Sequence, residues 1–522
     1  MPAPGSSHGG SRASPASNTT IAKHSVTTRF RIVLLWILLS ATNYGYGISE
    51  LNALQPILTC QSRSPSAPQQ LSPLSTGCIP LTESQFGLVT SLFTLGGLVS
   101  SFLISPLSKS LGWGRKTCIT ASATAGIIGS AILALSSGLF GLGVGRFVQG
   151  IGSGIGVVIV PIFINEISPT ALKGSNGVLN QFSIVLGIFV AQAIGASWLG
   201  GDGWYWRAVP LVSGLVSALQ LVGSKTVGLE SPGWLEGEGK GGRSGSAEAA
   251  SDAADEVRAS LWSPKELQSW KDGRGSSGGR GGGGGGDGDE ERQGLLTETS
   301  PDEPSPSSSS PLERNQIGLT SLFTDPQVRP GATLIVLTQL GQQLSGINAV
   351  LYYSVGILGS ILPSLAGSIG ILITIINIIM TFPPIYLIDE HRVGRKNLMV
   401  GSAVVMTLAS ALLGAGIVYG YKILSAVCMI AMVAGFSFGL GPIPFVILPE
   451  LVPSRAVSTA TSLGLTLNWT ANFLVGSAFL PIKNALARYD TAHTGGAVFW
   501  IFSVSNLITA VIVATRYHYK PE

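Results

Sequence analysis

The nine residues GWGRKTCIT at positions 112–120 return in altered form as RVGRKNLMV at positions 392–400. Each copy follows an apolar segment of about the length that crosses a bilayer. A second pair repeats at nearly the same interval, with PIFINEIS beginning at Pro161 and PIPFVILPE beginning at Pro442. Two motif pairs with one spacing predict a chain built from two duplicated halves.

Composition indicates where those halves reside. Only 11% of the 522 residues are charged and the mean hydropathy is +0.42. Apolar runs of the roughly 20 residues that span a bilayer recur along the chain. We therefore predict an all-α polytopic membrane protein of twelve transmembrane helices, six in each half. The predicted spans are 32–54, 86–107, 117–136, 139–164, 177–199, 206–227, 333–361, 366–388, 397–419, 423–448, 459–482 and 497–515.

Basic residues predict the orientation. Lys and Arg are concentrated before the first span and in alternate connections, so the positive-inside rule places both termini and the long central connection in the cytoplasm. The net charge of +4 is then a signal of topology, and we expect a lipid bilayer and no nucleic acid as partner. The first 28 or so residues are polar and lack the apolar core of a cleavable signal.

The central connection differs in composition from the rest. Residues 237–311 include six consecutive glycines, acidic clusters and PSPSSSSP, which predicts a low-complexity, disordered linker. A short amphipathic helix around Leu261–Trp270 is the exception. No Gly-Lys-Ser/Thr follows the glycines, so they do not form a nucleotide-binding loop. The predicted units are a tail (1–28), a six-helix bundle (29–236), a linker (237–325), a second bundle (326–515) and a tail (516–522).

Cysteines and histidines favour no enzyme chemistry. Cys118 and Cys428 lie in apolar segments as packing residues. Cys60 and Cys78 share the first outward loop, where a disulfide and two free thiols both remain open. The five histidines lie in tails or loops, and no nucleophile–base pair or metal-ligand grouping is present. We expect neither catalysis nor a cofactor or metal.

The segment QQLSGINAVLYY, residues 342–353, places three amides and two tyrosines inside an apolar stretch. Polar side chains at bilayer depth are costly and usually line a binding pathway. Each amide offers donors and acceptors without charge, which suits a neutral, hydroxyl-covered ligand such as a sugar. The alternative is that these amides only join neighbouring helices.

The repeated motifs also pair acids with bases on the predicted cytoplasmic side. Arg115 and Glu166 belong to the first half, and Arg395 and Glu450 to the second. Such pairs would tie helices together when that side is closed and break when it opens. We predict that these four residues form a cytoplasmic gate, the alternative being that the charges only set topology.

These motifs carry a family resemblance. QQLSGINAVLYYS, and VPIFINEISPTALKGSNGVLNQFSIVLG from Val160, closely resemble the sugar porter family of the major facilitator superfamily, and within it facilitative hexose transporters of a fungal type. GPIPF and NWTANF resemble its tenth and eleventh helices. Phe445 stands where the family usually has Trp, and Ser437 where it has Glu. The resemblance implies a sugar site formed by Gln181, Gln342, Gln343, Asn348, Asn377, Phe445 and Asn468.

The resemblance implies transport of a hexose by alternating access, in a monomer, at the plasma membrane or at a vacuolar or other internal membrane. Proton-coupled members carry Asp where this chain has Gly47, which predicts facilitated diffusion. Two alternatives stay open. Glu50 could replace the missing Asp in a proton symporter, unless it is a charge near the outer mouth that meets water. The protein could also be a transporter-like nutrient sensor that signals through its linker.

Overall fold

A computed structural model describes residues 26–60, 79–169, 172–197, 203–238, 247–278, 318–361, 365–387, 393–448, 451–489 and 495–517. Within these ranges the chain forms helices and no strand; Val26 and Trp262 make one isolated β-bridge. The first half contains α1 (Thr28–Ser49), α2 (Glu83–Leu111), α3 (Arg115–Leu135), α4 (Leu139–Ile167), α5 (Lys173–Ser197) and α6 (Ala208–Thr226).

The second half contains three broken helices. These are α7 (Arg329–Gln343 and Ile347–Ile361), α8 (Ala366–Met380 and Pro383–Leu387) and α10 (Lys422–Gly435, a π-helical turn Phe436–Leu440, and Ile443–Ile447). The continuous helices are α9 (Arg395–Val418), α11 (Ser454–Leu486) and α12 (Val498–Arg516).

The predicted twelve segments are confirmed in the described residues. Ten of them, counting broken α7 and α10 as one each, are long and apolar enough to cross a membrane. The other two are α8 and α11. The apolar helix of α8, Gly367–Met380, is short, whereas α11 is long enough at 33 residues but less apolar than the ten. Both GRK motifs occupy the same place, because α3 begins at Arg115 and α9 at Arg395. The sequence repeat is therefore a repeat of structure.

Small residues bring the helices of the first half together. A Cβ added at Gly96 or Gly150 would overlap backbone atoms of the facing helix, since α2 and α4 are in close contact. Such contacts are typical of membrane helices, where small residues allow close backbone approach. The glycines of α4 thus serve packing, as their place inside a span predicts.

The two halves meet along α2 and α11 and along α5 and α8. Alternation of twelve spans puts the start of α1, the end of α12 and the central connection on one side of the bundle, called here the linker side. The connections α1–α2, α3–α4 and α7–α8 lie on the opposite, far side.

The short helix expected around Leu261–Trp270 is present, but the prediction of a structureless linker on either side of it is wrong for residues 247–260 and 271–278. Residues 247–278 form two linker helices, Ala247–Leu261 and Pro264–Gly278. Leu261 and Trp262 are buried against the linker side of the first half. The Trp262 indole N–H donates to the Ile167 carbonyl at 2.7 Å, and the Thr27 amide donates to the Leu261 carbonyl at 3.0 Å. Residues 279–317 lie outside the described part of the chain.

The cysteines divide as their positions suggest. Cys118 and Cys428 are buried free thiols. Cys60 takes part in a disulfide bond, whereas Cys78 lies outside the described residues, so the Cys60–Cys78 pairing stays a prediction.

Candidate functional site: a buried amide cluster in the second half

Four of the predicted sugar-site amides converge in the second half. Asn468 of α11 donates to the side-chain oxygen of Gln342 at 2.6 Å, and Gln343 donates to the Asn468 oxygen at 3.0 Å. Asn348 donates in turn to the Gln343 oxygen. All four side chains are at least nine-tenths buried. The cluster is uncharged and dense in hydrogen-bonding atoms.

The break in α7 puts these amides side by side. Gly346 has a φ of +85°, a conformation that side-chain-bearing residues rarely adopt. Ser345 donates to the Gln342 carbonyl at 2.6 Å, and Asn506 of α12 donates to the Ser345 carbonyl at 3.1 Å. These bonds occupy backbone groups that the break leaves without helical partners. Gln343 and Asn348 therefore come from two short helices that meet at one point.

Sequence reasoning missed Gln339. Its oxygen accepts from Asn468 at 2.9 Å, and its Nε2 has no partner although the residue is fully buried. Gln339 lies one helical turn before Gln342 and Gln343, so helical spacing could have identified it. It extends the cluster toward the linker side.

The remaining predicted site residues lie apart from this network. Asn377 of α8 accepts a hydrogen bond from Ser437 at 2.6 Å, so the Ser that replaces the family's Glu holds another predicted site residue. Gln181 is partly buried on α5, the helix that faces α8. Phe445 is 47% exposed on the last segment of α10. The described structure therefore unites Gln342, Gln343, Asn348 and Asn468, and places the other three elsewhere.

Glu50 does not meet water, and this alternative for it is wrong. Its carboxylate and Arg146 form an ion pair at 3.0 Å, and both side chains are 0% exposed. Arg146 also donates to the Gly47 carbonyl at 2.9 Å and to the Gln149 oxygen at 3.0 Å. Its guanidinium lies over the Phe93 ring, 4.4 Å from the centroid. Arg146 is therefore paired in the interior and does not reach an interface.

Phe93 also packs against Gly47. A Cβ added at Gly47 would lie 2.7 Å from the Phe93 ring, which is too close for any side chain without rearrangement. Glu50 follows Gly47 by three positions, close to the same face of the helix end. The carboxylate that balances Arg146 therefore comes from one turn further along the chain.

A second charged cluster lies on the linker side. Arg115 and Glu166 pair at 3.0 Å, as predicted, and Ser231 also donates to Glu166. Glu230 accepts from the amides of Lys116 and Ser231, both at 3.1 Å. Burial raises the pKa of the Glu230 carboxyl above its usual range. Glu230 and Ser231, in the segment LESPGWL at 229–235, therefore join the cluster that Arg115 and Glu166 form. Glu450 lies outside the described residues, so its pairing with Arg395 stays a prediction.

On the far side, contacts between the halves close the bundle. Asn52, after the end of α1, donates to the Ser354 hydroxyl of α7 at 2.8 Å and accepts from the Val355 amide at 3.1 Å. Asn52 is 1% exposed. Glu83 of α2 and Lys483 of α11 lie 3.7 Å apart and stay partly exposed. These contacts join the two halves on the far side within the described residues.

The sequence matches the family described as sugar (and other) transporters over residues 32–274 and 298–518. It is 32% identical over 488 residues to a probable metabolite transport protein of Saccharomyces cerevisiae, covering 92% of this chain and 90% of that protein. It is 30% identical to the facilitated glucose transporter member 4 of solute carrier family 2 from Mus musculus, covering 92% and 86%.

Solved structures resemble the whole bundle. The partially occluded inward-open conformation of the xylose transporter XylE from E. coli aligns with a TM-score of 0.66 at 21% identity, covering 95% of this chain and 100% of that one. A POT family transporter aligns with a TM-score of 0.59 at 14% identity. At these identities the likeness concerns the fold alone.

Proposed function

The chain belongs to the sugar (and other) transporter family, and from this premise we propose that it carries a hexose across a membrane by alternating access. The observation that supports the proposal is the cluster of Gln342, Gln343, Asn348 and Asn468, which is buried, uncharged and rich in donors and acceptors. A hexose presents uncharged hydroxyls and a ring oxygen, and amides can donate to and accept from these groups without introducing charge. The facilitated glucose transporter among the relatives supports the same substrate class.

The cluster is consistent with weak binding. Its amides already bond one another, so a sugar must exchange existing hydrogen bonds for new ones, each worth about 1 kcal/mol net. A dissociation constant near 1 mM corresponds to only about 4 kcal/mol. A transporter must release its cargo, and a site that exchanges bonds allows this.

Uptake of labelled D-glucose into vesicles containing the purified protein tests the proposal. We expect saturable uptake, and a several-fold higher KM in Asn348→Ala, because the variant loses hydrogen bonds of about 1 kcal/mol each. Asn397→Ala is the matched control, since Asn397 is an exposed amide on α9 whose side chain donates to the Val393 carbonyl, away from the amide cluster. Equal KM values for both variants would contradict the amide site. Absence of uptake by correctly inserted protein would favour the nutrient-sensor alternative.

For energy coupling we propose facilitated diffusion, because Gly47 bears no ionisable group and Glu50 is engaged with Arg146. The same ion pair favours a second candidate, proton symport. A buried carboxylate that alternates between Arg146 and a proton could couple transport to a gradient. One oxygen of Glu50 and the Nε of Arg146 have no hydrogen-bond partner, which leaves room for rearrangement.

An imposed inward proton gradient separates the two modes. Facilitated diffusion predicts that internal glucose reaches the external concentration and stops there. Symport predicts accumulation above that level, lost in Glu50→Gln and in Glu50→Gln/Arg146→Gln. The double variant guards against misfolding of the single one. We further propose that both termini lie in the cytoplasm, which the charge pattern of the connections supports. We also propose that the protein functions as a monomer.

A further inference from the structure

We propose that Gln342 is a positioning residue for the broken helix α10, and that sugar binding at Gln342 releases this helix. The inference rests on the proposed function. It assigns to the Gln342 amide two competing sets of partners, the carbonyls of α10 and the hydroxyls of a bound sugar. Sugar binding would then loosen the end of α10 on the linker side.

The break in α10 leaves a backbone carbonyl without its helical partner. In an α-helix the carbonyl of Leu440 would accept from the N–H of residue 444, but residue 444 is Pro, which has no N–H. Pro442 likewise removes a donor in the same turn. The π-helical turn Phe436–Leu440 ends here, and the Gly441 amide bonds the Phe436 carbonyl at 2.8 Å. A buried carbonyl in this position needs a donor from elsewhere.

Gln342 supplies that donor from α7. Its Nε2 lies 2.8 Å from the Leu440 carbonyl oxygen and 2.7 Å from the Gly441 carbonyl oxygen. Both amide hydrogens are therefore used on α10. The Gln342 oxygen accepts from Asn468 at 2.6 Å, and the side chain is 2% exposed. No strong hydrogen-bonding capacity of the amide is left over.

The neighbouring Gln343 has no such role. Its Nε2 donates to Asn468 at 3.0 Å and, at the longer distance of 3.5 Å, to the Gln342 oxygen, and its own oxygen accepts from Asn348. These bonds stay within the amide cluster and none reaches α10. The two adjacent glutamines thus form a natural matched pair: both are buried amides, but only Gln342 donates to α10.

Competition follows from these contacts. A sugar hydroxyl can accept from the Gln342 amide only if that amide stops donating to the Leu440 or the Gly441 carbonyl, and the released carbonyl then loses this donor. Buried unpaired carbonyls are unfavourable, so the segment Phe436–Ile447 is expected to open more often when sugar is bound. Gln342 would thereby convert ligand binding into movement of the helix that ends on the linker side.

Hydrogen–deuterium exchange of Phe436–Ile447 in purified protein without sugar tests the first part. We expect exchange about tenfold faster in Gln342→Met, which keeps size but removes the donors. Gln343→Met is the control and should stay within about twofold of wild type. Pro444→Ala restores an N–H for the Leu440 carbonyl, so Gln342→Met/Pro444→Ala should return exchange toward the wild-type rate. Size-exclusion profiles confirm that each variant is folded.

Addition of D-glucose to the wild-type protein tests the second part. Exchange of Phe436–Ile447 should rise, and the rise should be absent in Gln342→Met. Equal exchange in the two methionine variants, no rescue by Pro444→Ala, or no glucose effect at a concentration that supports uptake would each overturn the proposal. If the protein does not carry hexoses, wild-type vesicles will take up no glucose. The comparison of the two methionine variants without sugar still tests the role of Gln342 in that case, so the two failures can be told apart.

Discussion

The Glu50–Arg146 ion pair is fully buried in the described bundle interior, with both side chains 0% exposed. Removing one member of a buried pair leaves the other charge uncompensated, which typically costs about 3–5 kcal/mol. We predict that Glu50→Gln lowers the free energy of unfolding in detergent by about 3 kcal/mol. Glu50→Gln/Arg146→Gln should recover much of the loss, since two amides can bond each other. Denaturant titration of both variants measures this, and equal loss in both would contradict a charge-based explanation.

At the residue scale, the sequence predicts which residues belong to the site better than it predicts their hydrogen-bond partners. The amides at positions 342, 343, 348 and 468 were all assigned to one site, because their residue types and the family motif are visible in the chain. Their hydrogen bonds were not predictable, since Gln342 and Asn468 are 126 positions apart. For the same reason the sequence leaves open whether Glu50 carries a proton or meets water at the outer mouth. Nothing local shows that Arg146, 96 positions away, closes over it.

At the scale of elements, continuous apolar spans were predicted well and broken helices less so. The spans of α3 and α9 agree with the structure to within a few residues. Hydropathy cannot show that α7 breaks at Gly346 or that α10 contains a π-helical turn. Such breaks depend on Asn506 and Gln342, which come from other helices. Composition predicts the linker helices only around Leu261–Trp270, and their full extent is seen only in the structure, where Leu261 and Trp262 dock against the first half.

The docked linker leads to a prediction about Trp262, which is 5% exposed and bonds the Ile167 carbonyl. Trp262→Ala should lower stability by about 3 kcal/mol, the cost typical of a large buried aromatic side chain. Lys265→Ala is the control, because Lys265 lies on the exposed side of the next helix. Thermal unfolding in detergent measures both. Equal midpoints would mean that the linker helices are not docked in solution.

Deletions separate the two parts of the linker. Removing residues 280–311 should leave glucose uptake within about twofold of wild type, because a low-complexity segment contributes no core. Removing residues 247–278 should reduce the amount of stable protein, since Leu261 and Trp262 are part of a core cluster. Uptake is normalised to inserted protein in both cases. Loss of uptake by the shorter-linker variant at normal insertion would assign the glycine-rich segment a role in transport.

At the scale of the whole molecule, alternating access requires the far-side contacts to break in each cycle. Asn52 makes two hydrogen bonds to α7 in a buried position, whereas Glu83 and Lys483 pair at 3.7 Å in partial contact with solvent. Exposed ion pairs contribute about 0–1 kcal/mol, and buried hydrogen bonds leave unpaired groups behind when one partner is removed. Asn52 is therefore the stronger of the two closures.

We predict that Asn52→Ala shifts the conformational equilibrium toward a state open on the far side, by about tenfold. Lys483→Met should shift it by less than threefold. Spin labels at Phe140 and Tyr421, exposed residues on the far side of the two halves, report the distance between halves in a background where Cys118 and Cys428 are replaced. The distance distribution of Asn52→Ala should gain a longer component that wild type lacks. If Lys483→Met opens the far side more than Asn52→Ala does, the ion pair rather than the Asn52 amide holds the halves together there.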